Sequence, residues 1–299
     1  MDTHVRRRAQ SAAEFAPLIG RMFVPDERQK ALSAYSPRPT DVIISPFGKC
    51  GTTWLQQTFH CLRTRGDMDF DDISRVVPWI ETSAMLGIDI NAEQRADPRG
   101  FKSHLAYDDA PKGARYVVSL RDPRDALVSM YRFMEGWFME PGAVPIDQFA
   151  MGWAMNANYW RHLASWWAQR DNSNVLLFSY ERMCEDPRSH IRRLASFVGI
   201  ALDDALLDLT LDRSSLSFML RHKDKFDDLL MRRKSEERCN LPPGSDSAKV
   251  RQGGAGGHKA VLSPDVLRLL DEAWAKEAAP ATGFRSYAEL EAALRKRAA

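Results

Sequence analysis

Three short runs of apolar residues constrain this chain most. They are "DVIIS" at 41–45, "RYVVSL" at 115–120 and "NVLLFSY" at 174–180. Each is too short for a buried helix and too continuous for a half-exposed strand, and each leads through a polar turn into a helix-like pattern. Continuous strands alternating with helices imply a parallel sheet covered on both faces, because a parallel crossover places its helix against the sheet. "GFKSHL" at 100–105 adds a shorter fourth strand. The expected architecture is a single α/β domain over 1–299, with a central parallel β-sheet flanked by helices.

Helix starts are marked by capping residues and first-turn prolines. The spacing predicts helices over 52–64 (with Thr52 or Thr53 as cap), 124–138, 151–170, 187–199, 264–276 and 286–297. Residues 1–35 read as an arm and helix. The stretch 223–250 is charged and weakly patterned, and "RQGGAGGHK" follows at 251–259. A loop that long in a compact domain is expected to be a lid or binding loop, so 223–258 reads as a mobile lid with a glycine-rich closing loop.

Composition narrows the function classes. A net charge of +2 gives no basis for bulk nucleic-acid binding. The four cysteines, at 50, 61, 184 and 239, have no zinc spacing and form no disulfide framework, so reduced thiols and a cytoplasmic location are expected. No apolar run is long enough to span a bilayer, and the arginines at 6–8 precede no apolar segment of a signal peptide.

Four motifs carry chemistry. In "KCGTTW" at 49–54, a helix starting near Thr52 points free N–H groups at its own turn. Gly51 permits close approach, and Lys49 adds a full charge. This is an anion site suited to phosphate, in an order unlike a Walker A loop; a capped helix beside an exposed lysine is the competing reading. In "SLRDPRDALVSMYRF" at 119–133, Arg121 stands at a strand's carboxyl end, where open α/β sheets place ligands, and Ser129 lies two turns into the next helix. In "FKSHL" at 101–105, Lys102 and His104 would share a face of a strand, where the ammonium would lower the imidazole pKa and leave a neutral base; a structural histidine is the competing reading. In "VRQGGAGGHK" at 250–259, Arg251 precedes a loop able to wrap a phosphate with backbone N–H groups.

Together and in this order, the motifs resemble the cytosolic-type sulfotransferase family. "KCGTTW" is similar to its KSGTTW loop, "KSHL" to its KTHL segment, and "VRQGGAGGHK" to its RKGxxGxWK loop. "VPWIE" at 77–81 and "FSYERM" at 178–183 also match, so the resemblance covers about residues 40–260. It implies 3′-phosphoadenosine 5′-phosphosulfate (PAPS) as co-substrate, adenosine 3′,5′-bisphosphate (PAP) as product, and no metal. It implies that Lys49, Cys50, Gly51, Thr52 and Thr53 hold the 5′-phosphosulfate. Trp54 would stack on adenine, with Tyr180 and Phe218 as further adenine contacts. Arg121, Ser129, Arg251, Gln252 and Gly253 would hold the 3′-phosphate. His104 would be the base, assisted by Lys49 and Lys102, with His258 as second choice. Departures from the pattern are Gly48 for proline, Cys50 for serine, Leu216 for a hydroxyl residue, Gln252 for lysine and His258 for tryptophan. The family's dimer motif is not recognisable after Lys259, and monomer and homodimer both stay open.

Phe47, Trp79, Met85, Phe133, Trp137, Phe138 and Met139 are candidates to line an acceptor pocket. Such side chains suit an apolar small molecule bearing one hydroxyl: a phenol, an alcohol, a sterol-like compound or a lipid. Two alternatives stand beside this reading. One is a nucleotide kinase or other phosphoryl transferase; the other is a non-catalytic nucleotide-binding protein.

Overall fold

A computed structural model describes residues 6–244 and 249–298. Its center is a four-stranded sheet in the order β2-β1-β3-β4, where β1 is Val42–Ile44, β2 Gly100–Lys102, β3 Arg115–Leu120 and β4 Val175–Ser179. All three pairings are parallel. Side chains alternate across a strand. Val42 and Ile44 therefore join Leu55, Phe59, Val117, Phe178 and Leu194 on one face. Ile43 joins Phe101, Tyr116, Val118, Trp160 and Trp166 on the other. Both faces are buried, as the continuous apolar runs require.

Helix Thr52–Thr64 lies against β2 so closely that a Cβ at Gly100 would come within 2.1 Å of the Phe59 ring. Asp41, just ahead of β1, is buried and takes two bonds from Arg99, at 2.9 and 2.7 Å, and one from the Tyr35 hydroxyl at 2.8 Å. A buried charge is tolerated only when it is paired and hydrogen-bonded in this way.

Three expectations are corrected here. The aromatic stretch 151–170 forms two helices, Ile146–Met155 and Asn158–Ala168. The Asn156 side chain accepts the Asn158 N–H at 3.0 Å, offering the backbone a turn in place of a continued helix. The third-strand crossover helix, Pro123–Met134, stops before the residues expected to end it. Within 223–250, Leu229–Arg238 is a helix rather than loop. Only Met231 and Ser235 of it are buried, too thin an apolar stripe to read as helical periodicity. It is held instead by a Trp137 indole bond to Ser235 at 2.8 Å and by the Arg238–Glu27 ion pair. Part of the expected lid, 245–248, lies outside the described residues.

Candidate active site

The carboxyl ends of all four strands open on one cavity of about 1100 Å³. β1 leads into Gly48–Trp54, β2 ends at Lys102 with His104 just beyond, β3 is followed by Arg121 and β4 by Tyr180. Ligands in open α/β sheets bind at this end, because there the loops and helix N-termini converge.

The anion loop is shaped by its backbone. Lys49 has φ +68° and Gly51 φ +97°, both left-handed. At Gly51 only glycine fits, since a Cβ would stand 2.9 Å from the Tyr180 ring. Gly51, not a threonine, is the N-cap of the Thr52–Thr64 helix, and no side chain caps it. The first N–H groups of that helix are thus left for a ligand. Thr52 is buried and its hydroxyl has no protein partner. An orphaned hydroxyl at a helix N-terminus fits an anion that brings its own acceptor oxygens. Cys50 does not face the cavity, contrary to expectation. Its thiol is buried among core side chains, and burial pushes its pKa up to about 12, so it stays neutral.

Arg121 ties the loops together. It donates to the carbonyl oxygens of Lys49 at 2.7 Å and Gly254 at 3.2 Å, and its guanidinium lies 4.1 Å from the Tyr180 ring centroid. Ser129, Arg251, Gln252 and Gly253 line the same cavity. Gly253, at φ +62°, packs against Leu216. Trp54 also lines it, with its ring edge-on to Tyr180 at 6.1 Å. Phe218 does not. It turns away to stack on His222 at 4.4 Å, and Leu216 and Met219, on either side of it, face the cavity instead. Leu216 and Met219 are three apart and share one face of the helix, while Phe218 lies off that face.

The imidazole of His104 has a defined tautomer. Its Nδ1 lies 2.7 Å from the Pro46 carbonyl oxygen, which can only accept, so Nδ1 carries the proton. Burial, then the Lys102 charge, holds its pKa well below the ordinary value, so the ring is neutral with a free lone pair on Nε2. Glu81 fixes the backbone by accepting the His104 N–H at 2.7 Å, and Trp79 packs edge-on to the ring at 5.0 Å. His258 has a different setting. Its ring and backbone both bond to Asp125, at 2.8 and 3.0 Å, and Asp125 also accepts the Gly256 N–H. That histidine clips the glycine-rich loop to helix Pro123–Met134.

Two lysines share the cavity with His104. Lys49 Nζ lies 4.3 Å from the Phe133 ring centroid and Lys102 Nζ 4.0 Å from that of Trp79. Burial lowers Lys49 to about 7 and Lys102 to about 8. An arriving anion would restore both charges. Asp228 and Lys249 also line the cavity, and the sequence reading missed them. Both sit in the charged stretch before the glycine-rich loop, where nothing in the pattern separates a buried ion pair from a solvated one.

The apolar wall holds Phe47, Trp79, Phe133, Trp137 and Phe138. Met85 and Met139 are not in it. Met85 packs behind Trp137, and Met139 is fully buried beside Tyr131 and Val144. Phe23, Met130, Met134, Met231 and Val261 add apolar surface that came from scattered parts of the chain.

The sulfotransferase domain family matches residues 39–282. This chain belongs to the sulfotransferase family. It is 29% identical over 216 residues to a 3-beta-hydroxysteroid sulfotransferase of Cavia porcellus, covering 68% of this chain and 73% of the relative. It is 25% identical over 296 residues to the luciferin sulfotransferase of Photinus pyralis, covering 86% and 76%. The fold is similar to retinol dehydratase in complex with androsterone and the inactive cofactor PAP. That match has a TM-score of 0.70 at 19% identity and covers 94% of this chain and 98% of the other. A mouse sulfotransferase complexed with PAP gives 0.66 at 18%, covering 92% and 95%. The sulfotransferase is an enzyme that moves a sulfuryl group to a hydroxyl acceptor, which sets the phosphoryl-transferase and non-catalytic alternatives aside. Among the described residues no helix is long and apolar enough to cross a membrane.

Proposed function

We propose that this sulfotransferase takes PAPS as donor and a largely apolar small molecule bearing one hydroxyl as acceptor. The observation that carries this reading is His104, whose Nδ1 is held on the Pro46 carbonyl and whose ring shares one cavity with both the anion loop and the aromatic wall. In it, Lys49, Gly51, Thr52 and Thr53 hold the 5′-phosphosulfate, Arg121, Ser129 and Arg251 hold the 3′-phosphate, and Trp54 and Tyr180 hold the adenine. The orphaned Thr52 hydroxyl and the uncapped helix N-terminus fit that anion. Relatives named for steroids and for luciferin, and a neighbouring structure with androsterone bound, support an apolar acceptor.

His104 Nε2 accepts the acceptor's hydroxyl proton, and Nδ1–H, held on Pro46, keeps the ring oriented as the imidazolium forms. The donor supplies an activated sulfur. As the acceptor oxygen bonds to it, its bond to the 5′-phosphate oxygen breaks and PAP leaves. Lys49 and Lys102 stabilise the charge that grows on the leaving and transferring oxygens. Positioning and electrostatics thus supply most of the acceleration, as in phosphoryl transfer. Phe133 and Trp79 set apolar ring faces against the two ammonium groups, which strengthens their fields.

Incubation with radiolabelled donor and a panel of phenols, sterols and long-chain alcohols tests this reading. Label transfer to at least one of them is expected. Transfer confined to sugars or other strongly polar acceptors would overturn the apolar assignment, and no transfer to any compound would overturn the donor.

A further inference from the structure

Two groups outside the sulfotransferase motifs meet at the reacting centre. The Asp228 carboxylate is buried and lines the cavity. One of its oxygens, Oδ1, is shared by two ammonium groups: Lys249 Nζ in a short hydrogen bond, and Lys102 Nζ at 3.8 Å. Lys249 in turn accepts at its backbone oxygen from Lys49 Nζ, 3.4 Å away. Asp228 stands just ahead of helix Leu229–Arg238, and its pair with Lys249 ties together two points 21 residues apart in the chain, closing the segment between them. The local chain is shaped for this. Asp228 has φ +50°, a conformation that is costly for most residues but tolerated by Asp and Asn. The next helical turn is held by Asp72, which accepts the Leu230 N–H at 3.0 Å.

We propose that Asp228 is a positioning residue for sulfuryl transfer, fixing the Lys102 ammonium at the reacting centre, with Lys249 holding the carboxylate in turn. The inference rests on the donor reading above. Charge balance fits it. Lys49, Lys102 and Lys249 with Asp228 leave two positive charges, which match the two negative charges of a phosphosulfate. Without Asp228, three ammonium groups would crowd one corner of the cavity, and the most buried would give up its proton.

Lys102 is faced by charges from several elements. Asp228 raises its pKa, as do Asp72 and Glu81 more weakly; Lys249 lowers it, and burial is the largest influence. Lys102 in turn depresses Lys49 and His104. Removing the Asp228 charge therefore moves the Lys102 pKa down from about 8.

The test is Asp228→Asn, which keeps the side-chain shape and tolerates the left-handed backbone. Acylation of Lys102 as a function of pH, followed by mass spectrometry on the free protein, reads its titration without any donor. The midpoint is expected to fall by about one pH unit, and the alkaline limb of kcat/KM to move the same way. The kcat at pH 7.5 is expected to drop by about 10- to 100-fold, while PAP affinity is kept or improved because a nearby carboxylate has gone. Lys249→Gln is expected to lower kcat by itself but to add nothing on top of Asp228→Asn, since it acts through the carboxylate. A pair that merely closes the segment would lower the melting temperature and leave the Lys102 midpoint in place; that result overturns the inference. So does an additive double variant. Inert wild-type protein with an unchanged acylation profile in the variant would remove both readings, whereas inert wild-type protein with a shifted profile would remove only the donor.

Discussion

Arg121 donates to the carbonyl oxygen of Lys49 at 2.7 Å, so the exit of the third strand and the anion loop of the first are one unit. The same guanidinium reaches Gly254 and lies over Tyr180. The proposed 3′-phosphate contact is therefore preorganised by protein groups, and binding there spends little entropy on ordering.

The 3′-phosphate is expected to dominate nucleotide affinity. Arg121, Ser129 and Arg251 line its place, and a charge-assisted hydrogen bond contributes about 1.5–3 kcal/mol. Calorimetry should show PAP binding at least about 100-fold tighter than adenosine 5′-phosphate. Equal affinities would refute the assignment.

His104→Ala and Lys49→Ala should separate chemistry from binding. The histidine variant is expected to lose about 10²- to 10⁴-fold in turnover with PAP affinity within a few-fold of wild type. The lysine variant should lose both. His258→Ala, which breaks the clip to Asp125, should lower thermal stability and weaken PAP; near-normal turnover in His104→Ala would return the base assignment to the start.

Nucleotide binding should take up protons above neutral pH. Burial places the free Lys49 at about 7 and Lys102 at about 8, and a bound anion raises both. At pH 8 each is partly deprotonated in the free protein and protonated in the complex, so PAP affinity falls as pH rises through this range. The same depressed values set the sign for folding. Between about pH 7 and the usual lysine pKa the unfolded chain binds more protons, so these two groups make stability rise with pH there. Calorimetry of PAP binding at pH 8 in buffers of different ionisation enthalpy measures the uptake; a net release would contradict it.

The helix Leu229–Arg238 and the loop after Lys249 are expected to gain protection when PAP binds. The helix buries only Met231 and Ser235, and Arg251 in the loop is exposed, so both have contacts to gain from a ligand. Hydrogen exchange with and without PAP checks this, and identical rates over 229–238 and 249–258 would count against it.

Much of the frame was legible because its signals are local. The strand runs at 42–44, 115–120 and 175–179 are continuous apolar stretches, and helices starting at Thr52, Pro187 and Pro264 carry punctuation in their first residues. Lys49, Arg121 and His104 could be picked out because their motifs, taken together and in order, resemble those of the sulfotransferase family. What failed depends on side-chain direction or on distant partners. Phe218 and Leu216 lie on the same short helix, and the pattern does not say which of them faces the cavity. Cys50 sits in the anion loop yet points into the core. Asp228 and Lys249 lie in a charged stretch that does not mark them out, and only the fold brings Asp228 to Lys102 and Lys249 to Asp228.

Asp125 accepts from both Gly256 and His258, fastening the far end of the glycine-rich loop to a buried stretch of the Pro123–Met134 helix. The Lys249 end is held in turn by Lys49 and Asp228, and Gly254 between them by Arg121, so the loop is a strap fastened at both ends. On the proposed binding mode, departure of the nucleotide would need the Lys249 end to let go as well as the contacts around Arg121.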